Sequence, residues 1–229
     1  MHPRTVVRPP RRTPVCPTAF RTSPQREQLT HRAFTLIELL VVIAIIAILI
    51  GLLFPAFKAV QNQAKQTQAK NDLTQIVNAV NAYYTEYGKY PLVSADTIYG
   101  PAGTANNVLF NELRATASAI QNPRQIVFIS PPYVKDRTNP RSGIATQATT
   151  INGIAVAIGD LVDPWGTPYN VKIDGNYDNQ LANPYTADTG AGPATLNIGV
   201  IAWSLGKDQA GGSGNKNSGA GDDDVISWQ

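Results

Sequence analysis

The chain has 229 residues, 43% of them hydrophobic and 15% charged, with a formal net charge of +3; that length suits one domain or little more, and that apolar share excludes a disordered polyelectrolyte. A pI near 9.0 suggests nucleic acid or another acidic partner only if the basic residues stand on the folded part. They do not: residues 1–33 hold seven arginines against Glu27 alone, a net of +6, and the other 12 basic and 15 acidic residues leave the rest at −3. The same segment holds Cys16, His2 and His31, and no cysteine or histidine follows it. If 1–33 is removed, a disulfide, a Cys or His zinc site and any Cys- or His-based catalysis are excluded, while carboxylate, Ser or Lys chemistry stays open.

In chain order, residues 1–33 are rich in Pro, Arg, Thr and Ser without apolar periodicity and read as a processed leader. The run Phe34–Pro55 follows. Its 19 residues from Leu36 to Phe54 carry a single charge, Glu38, and as a helix rise roughly 28 Å, close to the ~30 Å hydrocarbon core. This predicts a single membrane span with the arginine-rich side cytoplasmic. A secretory signal peptide fits less well: the run is long, and Pro55 and Phe57 stand where a small-residue cleavage site belongs. A carboxylate in a span costs about 2.5–3.5 kcal/mol. Glu38 either snorkels to the surface or awaits a cation, and a cut before Phe34 would supply one as a new α-amino group one helical turn away.

The run Arg32-Ala33-Phe34-Thr35-Leu36-Ile37-Glu38-Leu39-Leu40 resembles the signal of type IV pilins and type II secretion pseudopilins. The resemblance implies cleavage between Ala33 and Phe34 by a prepilin peptidase, N-methylation of Phe34, and assembly roles for Glu38 and for Pro55, placed where that family commonly bends its helix. Ala33 stands where the family usually has Gly. The leader is long, and a start near Leu29 would give one of conventional length.

Beyond Pro55, Leu73, Ile76, Val77, Val80, Tyr84 and Tyr87 recur at three- and four-residue steps among Gln and Asn, predicting that the helix continues to Tyr87 with one apolar face. Gly88 and Pro91 end it. Residues 56–91 thus read as an amphipathic extension and 92–229 as a globular domain. A second helix is expected over Asn106–Ile120, and strands over Gln125–Ser130, Ile154–Ile158, Tyr169–Ile173, Asn197–Ser204 and Val225–Trp228. Residues 131–150 and 174–195 read as loops. The expected fold is α+β: a long N-terminal helix packed on a small antiparallel sheet. Tyr87-Gly-Lys-Tyr-Pro91, Asp163-Pro-Trp-Gly-Thr-Pro-Tyr169, Trp203-Ser-Leu-Gly-Lys-Asp208 and the acidic tryptophan-containing C-terminus are similar to the major, G-type pseudopilin.

The segment from Asp208 to Asp222-Asp223-Asp224 is glycine-rich and acidic. Adjacent carboxylates repel, and Ca²⁺ answers that with its preference for 6–8 oxygens; a solvated acidic tail is the alternative. The resemblance implies structural Ca²⁺ held by Asp208, Asp222, Asp223 or Asp224 and the Leu205 carbonyl. Asp174, Asp178 and Asp188 read as turn-forming residues. The whole implies a filament subunit and no enzyme: a self-associating pseudopilin in the inner membrane, its globular domain periplasmic or extracellular, with prepilin peptidase, an assembly platform and minor pseudopilins as partners. A type IV pilin for adhesion, motility or DNA uptake is the near alternative, and a membrane-anchored binding or hydrolytic domain the distant one.

Overall fold

The computed structural model describes residues 34–186, 189–210 and 223–229; the leader with Ala33, and the acids Asp188 and Asp222, lie outside them. Helix α1 spans Leu36–Tyr87. From Leu36 to Val60 every large apolar side chain that is described is exposed. Such a helix is apolar all round and asks for an apolar surrounding or partner. Among the described residues no helix is long and apolar enough to cross a membrane.

Leu49–Gln229 forms one compact unit. Within it α1 turns amphipathic, and Ala69, Leu73, Ile76, Val80 and Tyr83 are fully buried. Tyr83, not the expected Tyr84, enters the core: steps of three and four from Leu73 run through Ile76, Val80 and Tyr83 to Tyr87. The Tyr83 hydroxyl stays satisfied by donating to the Gln121 carbonyl at 2.6 Å. Tyr84 lies one position off that stripe and packs beside the Tyr90 ring instead, with centroids 4.6 Å apart. Gly88 closes the helix at φ +68°, its N–H bonded to the Tyr84 carbonyl.

After α1 come β1 (Thr97–Tyr99), α2 (Asn107–Leu113), β2 (Gly143–Ile144), β3 (Thr149–Ile151), β4 (Ile154–Val156), β5 (Leu161–Val162), β6 (Asn170–Ile173), β7 (Leu181–Ala182), a 3-10 turn at Thr189–Ala191, β8 (Thr195–Leu196), β9 (Val200–Ser204) and β10 (Val225–Ile226). The main sheet has the order β1-β6-β9-β10, antiparallel throughout. β2 pairs with β5, β3 with β4 and β7 with β8. The architecture is α+β, with the amphipathic half of α1 and the short α2 on one face of the sheet.

All five residues of β9 are buried. Val200 and Ala202 belong to the core formed with α1, while Ile201 and Trp203 pack with Leu181, Tyr185, Ala191 and Leu196. The strand therefore reads as a continuous apolar run, as strands covered on both faces do, and not as the half-buried strand its partial alternation suggests. The segment 174–195, expected as plain loop, supplies that second cover. Its strands are two residues long, too short for any period to show.

Residues 131–150, expected as plain loop, carry β2 and the start of β3. Two more expectations give way. The second helix stops at Leu113 rather than Ile120. Ala115 sits in the left-handed region at φ +53°. Its N–H bonds the Glu112 carbonyl at 3.2 Å, and Thr116 N–H bonds the Asn111 carbonyl at 3.0 Å. That is the Schellman closure, usually signalled by glycine and here built on alanine. The Glu112 carboxylate then accepts from the backbone N–H groups of Ile120 and Gln121 and holds the turn beyond. The segment Gln125–Ser130 forms no strand, because Asn122 takes the place of a neighbouring strand: its amide donates to the carbonyls of Glu112 and Ile126 and accepts from Ile126 N–H. Arg124, which carries no motif, pairs with Glu86 of α1.

The left-handed backbone at Ala115 costs about 1–2 kcal/mol relative to glycine, of which glycine returns ~0.4–1 kcal/mol as unfolded-state entropy. Ala115→Gly is expected to raise the melting temperature by about 1–4 °C, read by circular dichroism.

Candidate functional site

Two places gather the residues singled out from sequence. At the start of α1, Phe34 is exposed and Glu38 lies in the first helical turn. The Glu38 carboxylate accepts from Thr35 N–H at 2.8 Å and from Thr35 Oγ1 at 2.7 Å, and Glu38 N–H donates to Thr35 Oγ1 at 3.3 Å. This is a capping box, Thr-x-x-Glu, in which side chain and backbone satisfy each other's orphan donors. Thr35 was legible as its partner three residues upstream and is the functional neighbour that a reading centred on charge overlooked. The box ties the carboxylate of Glu38, the fifth residue after the predicted cut, to Thr35, the second. Pro55 lies within α1, its side chain outside the described set.

The second place is built by β9, β10 and the turn after β9. The strands pair Ser204 with Val225 and Trp203 with Ile226, so the residues just after β9 and just before β10 meet. Asp208, Asp223 and Asp224 come together there, with carboxylate oxygens within 4.8 Å of one another. Asp223 accepts from the backbone N–H groups of Lys207 and Asp208. Asp224 is buried and accepts from the Tyr185 hydroxyl at 2.7 Å. Asp208 is exposed and accepts from Ala210 N–H at 2.9 Å. Burial pushes the Asp223 carboxyl up, the Lys207 N–H pulls it back, and the Asp208 charge pushes it up again. A carboxyl raised in the fold binds its proton more tightly there than in the open chain, so the contribution of Asp223 to stability falls as pH rises from the unfolded value through the folded one. Three convergent hard-oxygen donors are the chemistry of a divalent cation such as Ca²⁺. The fourth candidate acid, Asp222, lies outside the described residues, and Leu205, whose carbonyl was the backbone candidate, precedes the turn with its side chain buried.

The turn is held from behind by Asp163, in the Asp-Pro-Trp-Gly-Thr sequence. Its carboxylate accepts from the N–H groups of Trp165, Gly166 and Thr167 and from the hydroxyls of Thr167 and Ser204, the last at 2.6 Å. Burial pushes this carboxyl up, and the Ser204 and Thr167 bonds oppose that. Ser204 Oγ in turn accepts from Gly206 N–H at 3.1 Å. The motif thus works as a buried brace for the residues leading to Asp208. Asp174 and Asp178 serve turns, accepting from Tyr177 and Asn179 N–H and from Gln180 N–H respectively.

Residues 29–54 match the family model described as the prokaryotic N-terminal methylation motif. That motif marks type IV pilin-like or pseudopilin precursors processed by prepilin peptidase. No curated protein and no solved structure matches the chain.

Gly206 has φ +65°, and a Cβ there would lie 2.3 Å from the Asp223 carbonyl oxygen. Gly206→Ala is expected to cost more than the ~1–2 kcal/mol of left-handed backbone alone, seen as a melting temperature lower by at least 2–4 °C, on the scale of ~2–4 °C per kcal/mol.

Proposed function

We propose that this chain, which bears the prokaryotic N-terminal methylation motif, is the major subunit of a type II secretion pseudopilus. The motif at 29–54 is the observation that carries the reading. It supports a structural subunit made as a precursor, held in the inner membrane by the apolar run Leu36–Phe54, cut between Ala33 and Phe34, and methylated on Phe34. In this reading 34–55 is both membrane anchor and assembly helix, and the unit from the amphipathic extension onward lies outside the cytoplasm. Assembly buries the exposed apolar face of one subunit's α1 against those of its neighbours. Each large side chain so removed from water or lipid packs where the single chain offers it no partner.

Glu38 has two roles in sequence. In the single chain it caps its own helix through Thr35. In the fibre it pairs with the Phe34 α-amino group of a neighbour, which sets register and avoids burying two unpaired charges. The capping box supports this by keeping the carboxylate at the helix start, where the positive end of the helix dipole also favours an anion.

The cluster Asp208, Asp223 and Asp224, with Asp222 and the Leu205 carbonyl as further donors, holds structural Ca²⁺. Bound there, the ion would staple β9 to β10 across the glycine-rich segment, the task a disulfide cannot perform in a mature chain without cysteine. This arrangement favours the G-type pseudopilin over a type IV pilin. Assembly platform and minor pseudopilins are the partners this role requires.

Two sets of measurements test the reading. Mass spectrometry of the protein from membranes is expected to find an N-terminus at methylated Phe34; Glu38→Ala is expected to show that same terminus yet form few fibres by electron microscopy, and abundant normal fibres would refute the pairing. In the second, chelation of Ca²⁺ is expected to expose residues 205–228 to protease while the α1–sheet core stays resistant, and an unchanged digestion pattern would refute the ion.

A further inference from the structure

We infer that Gln209 is a positioning residue for the cation cluster and that the tip of the β3–β4 hairpin braces it, an inference that rests on the calcium reading above. Gln209 directly follows Asp208 and holds φ +62°, a conformation that glycine or asparagine adopts more readily. Backbone preference therefore does not explain a glutamine there, but its side chain does. Gln209 is buried, and its amide is used at both ends: Nε2 donates to the Trp165 carbonyl at 2.5 Å, and Oε1 accepts from Asn152 Nδ2.

Both partners stand on built supports. The Trp165 carbonyl belongs to the turn fastened by Asp163 and also accepts from Arg141 at 2.7 Å. Asn152 and Gly153 join β3 to β4 with φ +46° and +84°, the two positive values of a tight hairpin turn, for which Asn-Gly is the favoured pair. Register across the turn sets Ile151 opposite Ile154.

The geometry isolates Asp208 between two anchors. Before it, Asp163 holds Ser204, and Ser204 holds Gly206 N–H. After it, Gln209 ties the backbone to Trp165 and Asn152. Asp208 itself is exposed; its carboxylate accepts from Ala210 N–H and its own N–H donates to Asp223, so its direction follows the backbone of the turn that these anchors orient. Loss of the second anchor frees rotation at 208–209, and the donor set opens without disturbing the core. Such outer supports typically set metal affinity within a factor of ~10–100.

The test compares wild type, Gln209→Gly and Asn152→Ala, each as the full chain in detergent micelles. Gln209→Gly keeps the left-handed turn at ease while deleting the side-chain ties, so its metal-free melting temperature is expected to stay near that of wild type. Its Ca²⁺ affinity by calorimetry is expected to fall ~10–100-fold, and Asn152→Ala to fall in the same direction. In metal-free protein, hydrogen exchange of the Lys207, Asp208 and Ala210 amides is expected to quicken in Gln209→Gly. Equal Ca²⁺ affinities, or unchanged exchange at those amides, overturn the positioning role. Absence of Ca²⁺ binding by wild type overturns the calcium reading itself, and the exchange rates then decide the positioning of the turn independently.

Discussion

The fold of the compact unit depends on burying the strand Val200–Ser204 on both faces at once. Val200 and Ala202 meet the apolar stripe of α1, and Ile201 and Trp203 meet the layer made by Leu181, Tyr185, Ala191 and Leu196. Neither cover is large alone. α1 brings one stripe of six buried side chains, and the other cover consists of two-residue strands and a turn. Each becomes worthwhile because the other removes water from the opposite side of the same strand, where one buried large side chain contributes about 1.5–3 kcal/mol. The strand runs straight into Leu205–Asp208, so the constraint that makes the core also fixes where the acidic turn begins.

The acidic turn gathers like charges and is braced by hydrogen bonds from several sides. Asp223 and Asp224 precede a strand that pairs with the one ending before Asp208, so the topology itself forces like charges together. Backbone N–H groups, the Tyr185 hydroxyl, the Asp163–Ser204 chain and the Gln209 side chain all spend hydrogen bonds on holding that geometry. Lys70 of α1 adds one more tie, donating to the Ile226 carbonyl at 2.7 Å.

α1 serves two different environments along one element. Up to Val60 its described large apolar side chains are exposed, and from Ala69 onward one apolar stripe turns into the core. The change follows composition: uniform Leu, Ile and Val give way to Gln, Asn and Lys with apolar residues only at three- and four-residue steps. A helix of the first kind has no preferred side and is stable wherever its surroundings are apolar, whereas one of the second kind has a single side to bury.

The features legible in the sequence itself are those that repeat or that carry charge. The apolar run after Phe34, the lone Glu38, the periodic stripe from Leu73, the stop at Gly88 and the acids flanking a glycine-rich segment were all readable, because each rests on local composition or on a period of 3.6. The Thr35–Glu38 box and the Asn152-Gly153 hairpin were equally local and could have been read. Tertiary structure alone decided the rest. It ended α2 at Leu113 through a left-handed alanine, replaced an expected strand at 125–130 with the side chain of Asn122, and made a buried layer out of 174–195. It also joined Asn152, Trp165 and Gln209 behind Asp208. These outcomes depend on which distant groups satisfy a given N–H or carbonyl, and two-residue strands carry no period from which that pairing can be foretold.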